Sequence, residues 1–589
     1  MDNNGARILL SRCNLGFLLL KFYPVVKLGL REKFKNKPFI ISILLIAFLI
    51  IATVPSFWRM LRFGVYTMHD FHLFRQFEFH KCVVDLQIPC RWAPDSGFEY
   101  GEPLFNFYGQ LSYMFGEPIH LAGLSVINSV KILFILSLML SAFSMFLLAK
   151  QLWRSNFAAS ISAMLYVYAP YRAVDVWVRG ALPEALSFIF FPLILYFFNR
   201  YLASEKMRDL AGFSLFTAAL ITLHNLSFLM FLLPLAVWVV YSLFKSKKWY
   251  LLKNLIFATA LVFLLSAFYL LPVITETKLV NLGKTVVDYY NFRAHFTTLN
   301  QLLISRIWGY EASVWGPGDN LSFSAGQIHW TLSLLLIILV LASRKLRDNL
   351  GLLVLIALGW FSLFLTHQRS AFIWEIISPF QFLQFPWRFL SISTFLFSLS
   401  AGAVVLFLKN RVAKVVVTLA LILVAILTNF SFFREDIWRP ISDEHQFSGG
   451  LWEEQIASAV NDFWPTFGKK IPNEKAKEKV VFLEGEGKSF SFEKTSKTVR
   501  ARVLAETPAK IQLASVYFPG WTGFVDYKKV AIFPEGDLGL ATLEIPEGEH
   551  QIFLKFGDTP IRTFGNILTL LGLVIAGFLI IKKPNVKKV

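Results

Sequence analysis

Long apolar runs, repeated along most of the chain, limit what this sequence can become more than any other feature. Each holds about 18 to 22 predominantly apolar residues, and roughly 20 residues of helix cross a hydrocarbon core about 30 Å thick. Inside such a core every backbone N–H and C=O must find a partner within its own segment, so runs of this kind fold as membrane-crossing helices. With 55% hydrophobic and 16% aromatic residues among 589, an ordinary soluble chain is excluded.

The formal charge of +19 does not point to nucleic acid. Lys and Arg gather in short stretches beside the apolar runs, which is how cytoplasmic loops are marked, and no nucleic-acid-binding motif is present. Spans are expected at 38–58, 127–149, 156–172, 181–199, 209–225, 226–244, 251–273, 327–343, 349–366, 389–408, 414–433 and 563–581. Basic connections such as Lys150 with Arg154, or Lys245 with Lys247 and Lys248, then fall on one side, giving about twelve helices with both termini cytoplasmic. Residues 1–37 read as an amphipathic cytoplasmic lead-in, and 582–589 as a basic cytoplasmic tail.

The transmembrane part, 38–433, leaves large outer loops at 58–121, 275–326 and 367–388. A fourth outer piece, 434–562, is charged and carries short β-rich runs (TVRARVLA, KIQLASVYF, HQIFLKF) separated by turn signals such as PEGD and PEGE. It reads as an extracytoplasmic β-sandwich closed by the final helix, 563–581. Cys82 and Cys90 both fall outside, where a disulfide between them is permitted.

The opening outer loop concentrates the chemistry. Asp70 starts a helix whose Phe71, Phe74 and Phe77 share one side, with His72, Gln76 and His80 opposite, so the Phe side is expected to lie down in the interface. Asp70 reads either as a helix cap or as a general base at a membrane-facing cavity. Arg75, Arg91, Arg172, Arg179 and Arg388 lie on the outer side against the positive-inside trend. Guanidinium forks grip phosphate, although ion pairing or snorkelling would also account for each singly. Glu184 sits about one turn into a span, where an ionisable group needs a polar cavity or a partner. His224 and Asn225 stand at a helical-hairpin turn, and Tyr100, Tyr108 and Trp387 belong to an outer aromatic population. There is no phosphate loop, HExxH, GxSxG or dinucleotide fingerprint.

The stretches DFHLFRQFEF, IPCRWAPDSGFEYGEPLFNFYGQLSY, VRGALPEALSFIFFPLILY, LHNLSFL, FLQFPWRFL, DFWPTFG and YFPGWTGFVD, running from Asp70 to Asp526, resemble prokaryotic membrane proteins labelled "6-pyruvoyl-tetrahydropterin synthase-related domain" and the YfhO-like family. Both are similar to the GT-C superfamily of membrane glycosyltransferases. The resemblance implies a GT-C-like helical fold in a prokaryotic plasma membrane, with transfer of sugar on the extracytoplasmic face from a polyprenyl-phosphate-linked donor to a cell-envelope glycan, lipid or protein. By position it makes Asp70 the loop carboxylate; Arg75, Arg91, Arg179 and Arg388, picked out by their outer placement, are the candidates for the lipid phosphate. His69, His72, Tyr100, Tyr108, Glu184, His224, Asn225, Gln384 and Trp387 would line the cavity or hold the acceptor. A single Asp without an adjacent second acid departs from the usual pattern and leaves open whether a divalent metal takes part. The alternative is a non-catalytic translocator of lipid-linked saccharide, or an envelope assembly or glycan-binding protein, on the same helices.

Overall fold

The computed structural model describes residues 37–67, 70–316, 318–458 and 463–582. The expected lead-in up to residue 36, the tail beyond 582 and His69 lie outside the described residues. The chain divides into two units, residues 1–54 and 55–589. In the first, helix Lys37–Thr53 carries exposed apolar side chains such as Leu44 and Ile51, and Thr53 Oγ1 donates back to the Leu49 and Ile50 carbonyls at 3.0 and 2.8 Å.

In the second unit, helices occur at every other expected span. Among the described residues eight are long and apolar enough to cross a membrane: Val126–Trp153, Leu182–Ser204, Asn225–Ser246, Trp249–Leu279, Leu346–Phe364, Pro386–Phe407, Arg411–Phe432 and Pro560–Ile581. Asn156–Val167, Met207–Leu223 and Gln327–Ser343 are shorter, at 12, 17 and 17 residues. The basic flanks have a structural counterpart. Arg154, Lys247 and Arg344 each end a helix in the left-handed conformation, where their charge meets the negative end of the helix dipole. In the most apolar 18-residue stretch of Pro386–Phe407, 94% of residues are buried, as suits a helix in the middle of the bundle, whereas in Pro560–Ile581 the share is 17%, as suits one at its rim.

The C-terminal region forms two antiparallel sheets. Strand β1 (Val65–Tyr66) pairs with β2 (Trp438–Arg439), stitching the start of the opening loop to the start of the 434–562 piece. Nine strands follow: β3 (Val480–Glu484), β4 (Gly487–Lys494), β5 (Thr498–Ala505), β6 (Ala509–Val516), β7 (Trp521–Val525), β8 (Lys528–Val530), β9 (Phe533–Glu535), β10 (Leu540–Ile545) and β11 (Gly548–Phe556). They are ordered β3-β6-β10-β9 and β4-β5-β11-β7-β8. Buried and exposed residues alternate along β5 and β11, and Val499, Val503 and Leu554 are fully buried. Phe518 and Trp521 of the FPGWTGFVD stretch are buried too, with Trp521 at 5.1 Å from Phe556 and 5.3 Å from Trp92.

One expectation is corrected. The phenylalanines of helix Asp70–Val84 do not face a membrane: Phe77 stacks on Phe447 at 4.4 Å, and Phe74 packs against Trp452. The opposite side is also covered, with Gln76 Nε2 donating to Glu117 at 3.2 Å. A three-residue spacing identifies the apolar side of a helix but not what covers it.

Candidate functional site

Residues 168–182 join helices Asn156–Val167 and Leu182–Ser204 through Pro170–Ala173 and a wide π-type turn over Val174–Val178. Turns of this width recur at functional positions because the extra residue redirects a side chain. Gly180, at φ 55°, completes the reversal that brings Arg179 alongside Glu184.

The resulting cluster is dense in charge. Glu184 Oε1 accepts from Tyr171 Oη at 2.6 Å and Oε2 accepts from Arg179 Nη1 at 2.8 Å. Arg179 Nη1 also donates to Asp175 at 3.1 Å, and Arg172 lies 3.7 Å from the other oxygen of Asp175. Arg172 is fully buried, bonded to the Ala185 and Ser137 carbonyls and set 4.1 Å over the Phe188 ring. Arg388 approaches Glu184 from the QFPWRFL segment at 4.0 Å. Burial, with Glu184 close by, pushes the Asp175 carboxyl well above the usual range, so the three guanidiniums outnumber the carboxylates facing them.

Arg179 and Arg388 retain unused donors. Among the described residues the hydrogen bonds of Arg179 leave from Nη1, and those of Arg388 leave from Nη1 to the Leu383 carbonyl (2.8 Å) and Gln384 Oε1 (3.4 Å). Their side chains are 15% and 12% exposed. Arg179 lies 4.7 Å over Trp387, whose ring stacks on Phe385 at 4.9 Å. Gln384 holds φ 62° with ψ −47°, a strained conformation for a residue with a side chain, and presents its amide oxygen to Arg388. His295, at 4.6 Å from Phe385, brings the 275–326 loop over this segment.

The opening loop supplies the other wall. His72 Nδ1 lies 2.8 Å from Tyr113 Oη, while its Nε2 accepts the Leu182 N–H at 3.2 Å, two residues from Glu184. Arg75 is sandwiched between Phe71 and Tyr108 at 3.6 and 3.8 Å, and Tyr108 lies within electrostatic range of Arg388. His224 faces the charges of Glu184, Arg388 and Arg179, with Nδ1 2.6 Å from Ser227 Oγ. Gly109 lets this loop close on the preceding turn: a Cβ there would stand 2.5 Å from the Leu223 carbonyl oxygen.

Of the sequence candidates, Arg179, Arg388, Glu184, Trp387, Gln384, His72, Arg75, Tyr108 and His224 are thus brought together. Tyr171, Asp175 and Tyr113 join them; Tyr171 and Asp175 precede Arg179 by eight and four residues, a near-helical spacing legible in the sequence. Asp70 stands apart, two residues before His72. Its carboxylate pairs with Arg439 of β2, and burial, partly offset by Arg439, raises its pKa to about 6. Arg91 and Tyr100 are placed elsewhere. Arg91 donates to Asn566 at 3.0 Å and faces Asp558, tying the loop to the final helix. Tyr100 packs on Trp464 in the C-terminal region, and its carbonyl accepts from Val516. Asn225 is exposed in the first turn of its helix. Among the described residues no group of three or more His, Cys, Asp or Glu is arranged to hold a metal ion. No step below uses a metal ion.

Beside these elements runs an open apolar groove of about 610 Å³, lined by Phe79, Met114, Leu215, Leu265 and Leu573 with Glu117 and Asn566 among them. Cys82 and Cys90 form a disulfide at its edge.

No protein-family model and no curated protein matches the chain. Among solved structures it is similar to the arabinofuranosyltransferase AftD from Mycobacteria, with a TM-score of 0.45 and 12% identity. The alignment covers 71% of this chain and 29% of that one, so the chain spans less than a third of that protein's length.

Proposed function

We propose that this protein is a membrane glycosyltransferase that moves a sugar from a polyprenyl-phosphate-linked donor to a cell-envelope acceptor on the extracytoplasmic face. The observation that carries the reading is the Arg179 and Arg388 pair, partly exposed, with donors left over after their protein bonds and a surplus of positive charge around them. A buried surplus of cations is costly until an anion joins it, and guanidinium donors suit phosphate oxygens. The apolar groove bordered by membrane helices suits the hydrocarbon part of such a donor.

In this reading the acceptor hydroxyl oxygen attacks the anomeric carbon and forms the new glycosidic bond as the bond from that carbon to the phosphate oxygen breaks. The bonding pair leaves on the lipid phosphate, where Arg179 and Arg388 offset the developing charge. Asp70 takes the hydroxyl proton, and a carboxylate titrating near 6 is ionised yet still basic at neutral pH. His72 and Tyr113 position the helix that carries Asp70. The buried charged groups of the helical part support an enzyme over a translocator. In the long apolar helices Glu184 and Arg562 lie in first turns, Lys131 in a second turn, and Glu276 ends its helix, so these buried charges sit toward helix ends.

The test is transfer in proteoliposomes supplied with a radiolabelled polyprenyl-phosphate sugar. Arg179→Ala and Arg388→Ala should each abolish most donor binding, and Asp70→Asn should bind donor without transferring it. Unchanged turnover in Asp70→Asn removes Asp70 from the chemistry; unchanged donor binding in both arginine variants defeats the reading.

A further inference from the structure

The five-stranded sheet turns a built surface outward, on the side away from the buried face. Register aligns one row across all five strands: Glu493 of β4 opposite Arg500 of β5, Arg500 opposite Phe553 of β11, Phe553 opposite Phe524 of β7, and Phe524 opposite Lys529 of β8. Four steps between neighbouring strands make this row about 19 Å long. In the next row Arg502 stands between Ser491 and Gln551. A cavity of about 750 Å³ lies over these rows.

Three features show that the face is made for something. Phe524 and Phe553 form a platform, ring centroids 6.0 Å apart, with the Arg500 guanidinium 5.6 Å from the Phe553 ring. Tyr527 lines the same cavity and is 90% exposed, yet it sits at φ 68° in the turn between β7 and β8, a conformation that bulky residues rarely adopt. The turn is anchored through Asp526, which accepts from the Gln551 N–H at 2.9 Å and lies 2.6 Å from His550 Nδ1. An exposed aromatic ring on strained, anchored backbone contributes nothing to packing. Charge is the third feature: Glu549 balances Arg502 at 2.6 Å, but among the described residues no carboxylate lies within ion-pair distance of Arg500, Lys529 or Lys555.

We infer that this face binds an acidic saccharide chain. The C–H faces of sugar rings lie against the apolar faces of the Phe524, Phe553 and Tyr527 rings, with the Tyr527 hydroxyl adding a polar edge. Arg502 and Gln551 hydrogen-bond the hydroxyls at the ring edges. Arg500 takes an acid group through its planar fork, with Lys529 and Lys555 adding attraction from either side. A hydrocarbon ligand would leave these cations unmatched, and a peptide partner would not require a row of flat rings flanked by forked donors. The inference does not depend on the transferase reading, since its readout is binding at a different surface.

The experiment uses the full chain in phosphatidylcholine nanodiscs and titrates hexagalacturonate, maltohexaose and hexaglutamate by calorimetry. Hexagalacturonate should bind, with affinity roughly tenfold lower in Arg500→Gln and in Tyr527→Ala. Both residues are outside the buried face, so both variants should melt at the wild-type temperature. Absence of hexagalacturonate binding, equal binding of maltohexaose or of hexaglutamate, or wild-type affinity in both variants would overturn it.

Discussion

Asp70 and Arg388 behave differently once their neighbours are known. Burial raises Asp70 to about 6 while Arg439 pulls it down, so the base form is lost as pH falls through about 6. The rate should fall along an acid limb centred there, and Arg439→Gln should move that limb upward, as read from kcat/KM against pH. For stability the sign is opposite: a carboxyl raised above its unfolded value favours the fold most below pH about 4, and that contribution is lost as pH rises through about 6. Arg388→Ala removes charge-assisted hydrogen bonds worth about 1.5–3 kcal/mol, or roughly 10- to 150-fold in donor affinity, which lipid-binding titration would measure. An acid at the start of the loop and arginines away from the basic connections were legible in the chain, because charge is expensive near a membrane and stands out there. That Arg91 ties loop to helix, bonded to Asn566, was not legible, since its partner lies 475 residues away.

Among the elements, the final helix is joined to Trp249–Leu279 by a buried pair, with Arg562 Nε donating to Glu276 at 2.9 Å and Asn106 and Thr559 completing the carboxylate's contacts. Arg562→Met strands Glu276 and should destabilise the protein by about 3–5 kcal/mol, seen as a lower melting temperature in detergent; adding Glu276→Leu should recover most of it. If the single variant melts like wild type, the pair does not hold the helix. Gly109→Ala drives a Cβ into the Leu223 and Thr222 carbonyls and should cost about 1–3 kcal/mol in the same assay. Helix positions were readable from apolar length alone. The partners of helix Asp70–Val84 were not, because a phenylalanine side is equally suited to lipid and to Phe447 and Trp452.

For the whole molecule, the expected topology makes a definite claim. Alkaline phosphatase fused within the 122–125 or 434–437 connections should be active, and fusions after Glu205 or Lys247 inactive; the reverse pattern would place the charged cluster and the β-strands on the cytoplasmic side. The disulfide between Cys82 and Cys90 suits the first outcome, since oxidising compartments preserve such bonds.

Apolar run length, basic flanks and strand alternation are local properties, and each acts through neighbours a few residues away. They determined by themselves that the chain is a helical membrane protein with a β-rich C-terminal region. Which ionisable groups share a site was decided only in three dimensions. Glu184 meets Arg388 across 204 residues and Asp70 meets Arg439 across 369, and such contacts depend on how helices pack and on where the opening loop docks. Desolvation and charge pairing, which set what each group can do, exist only after that packing is complete.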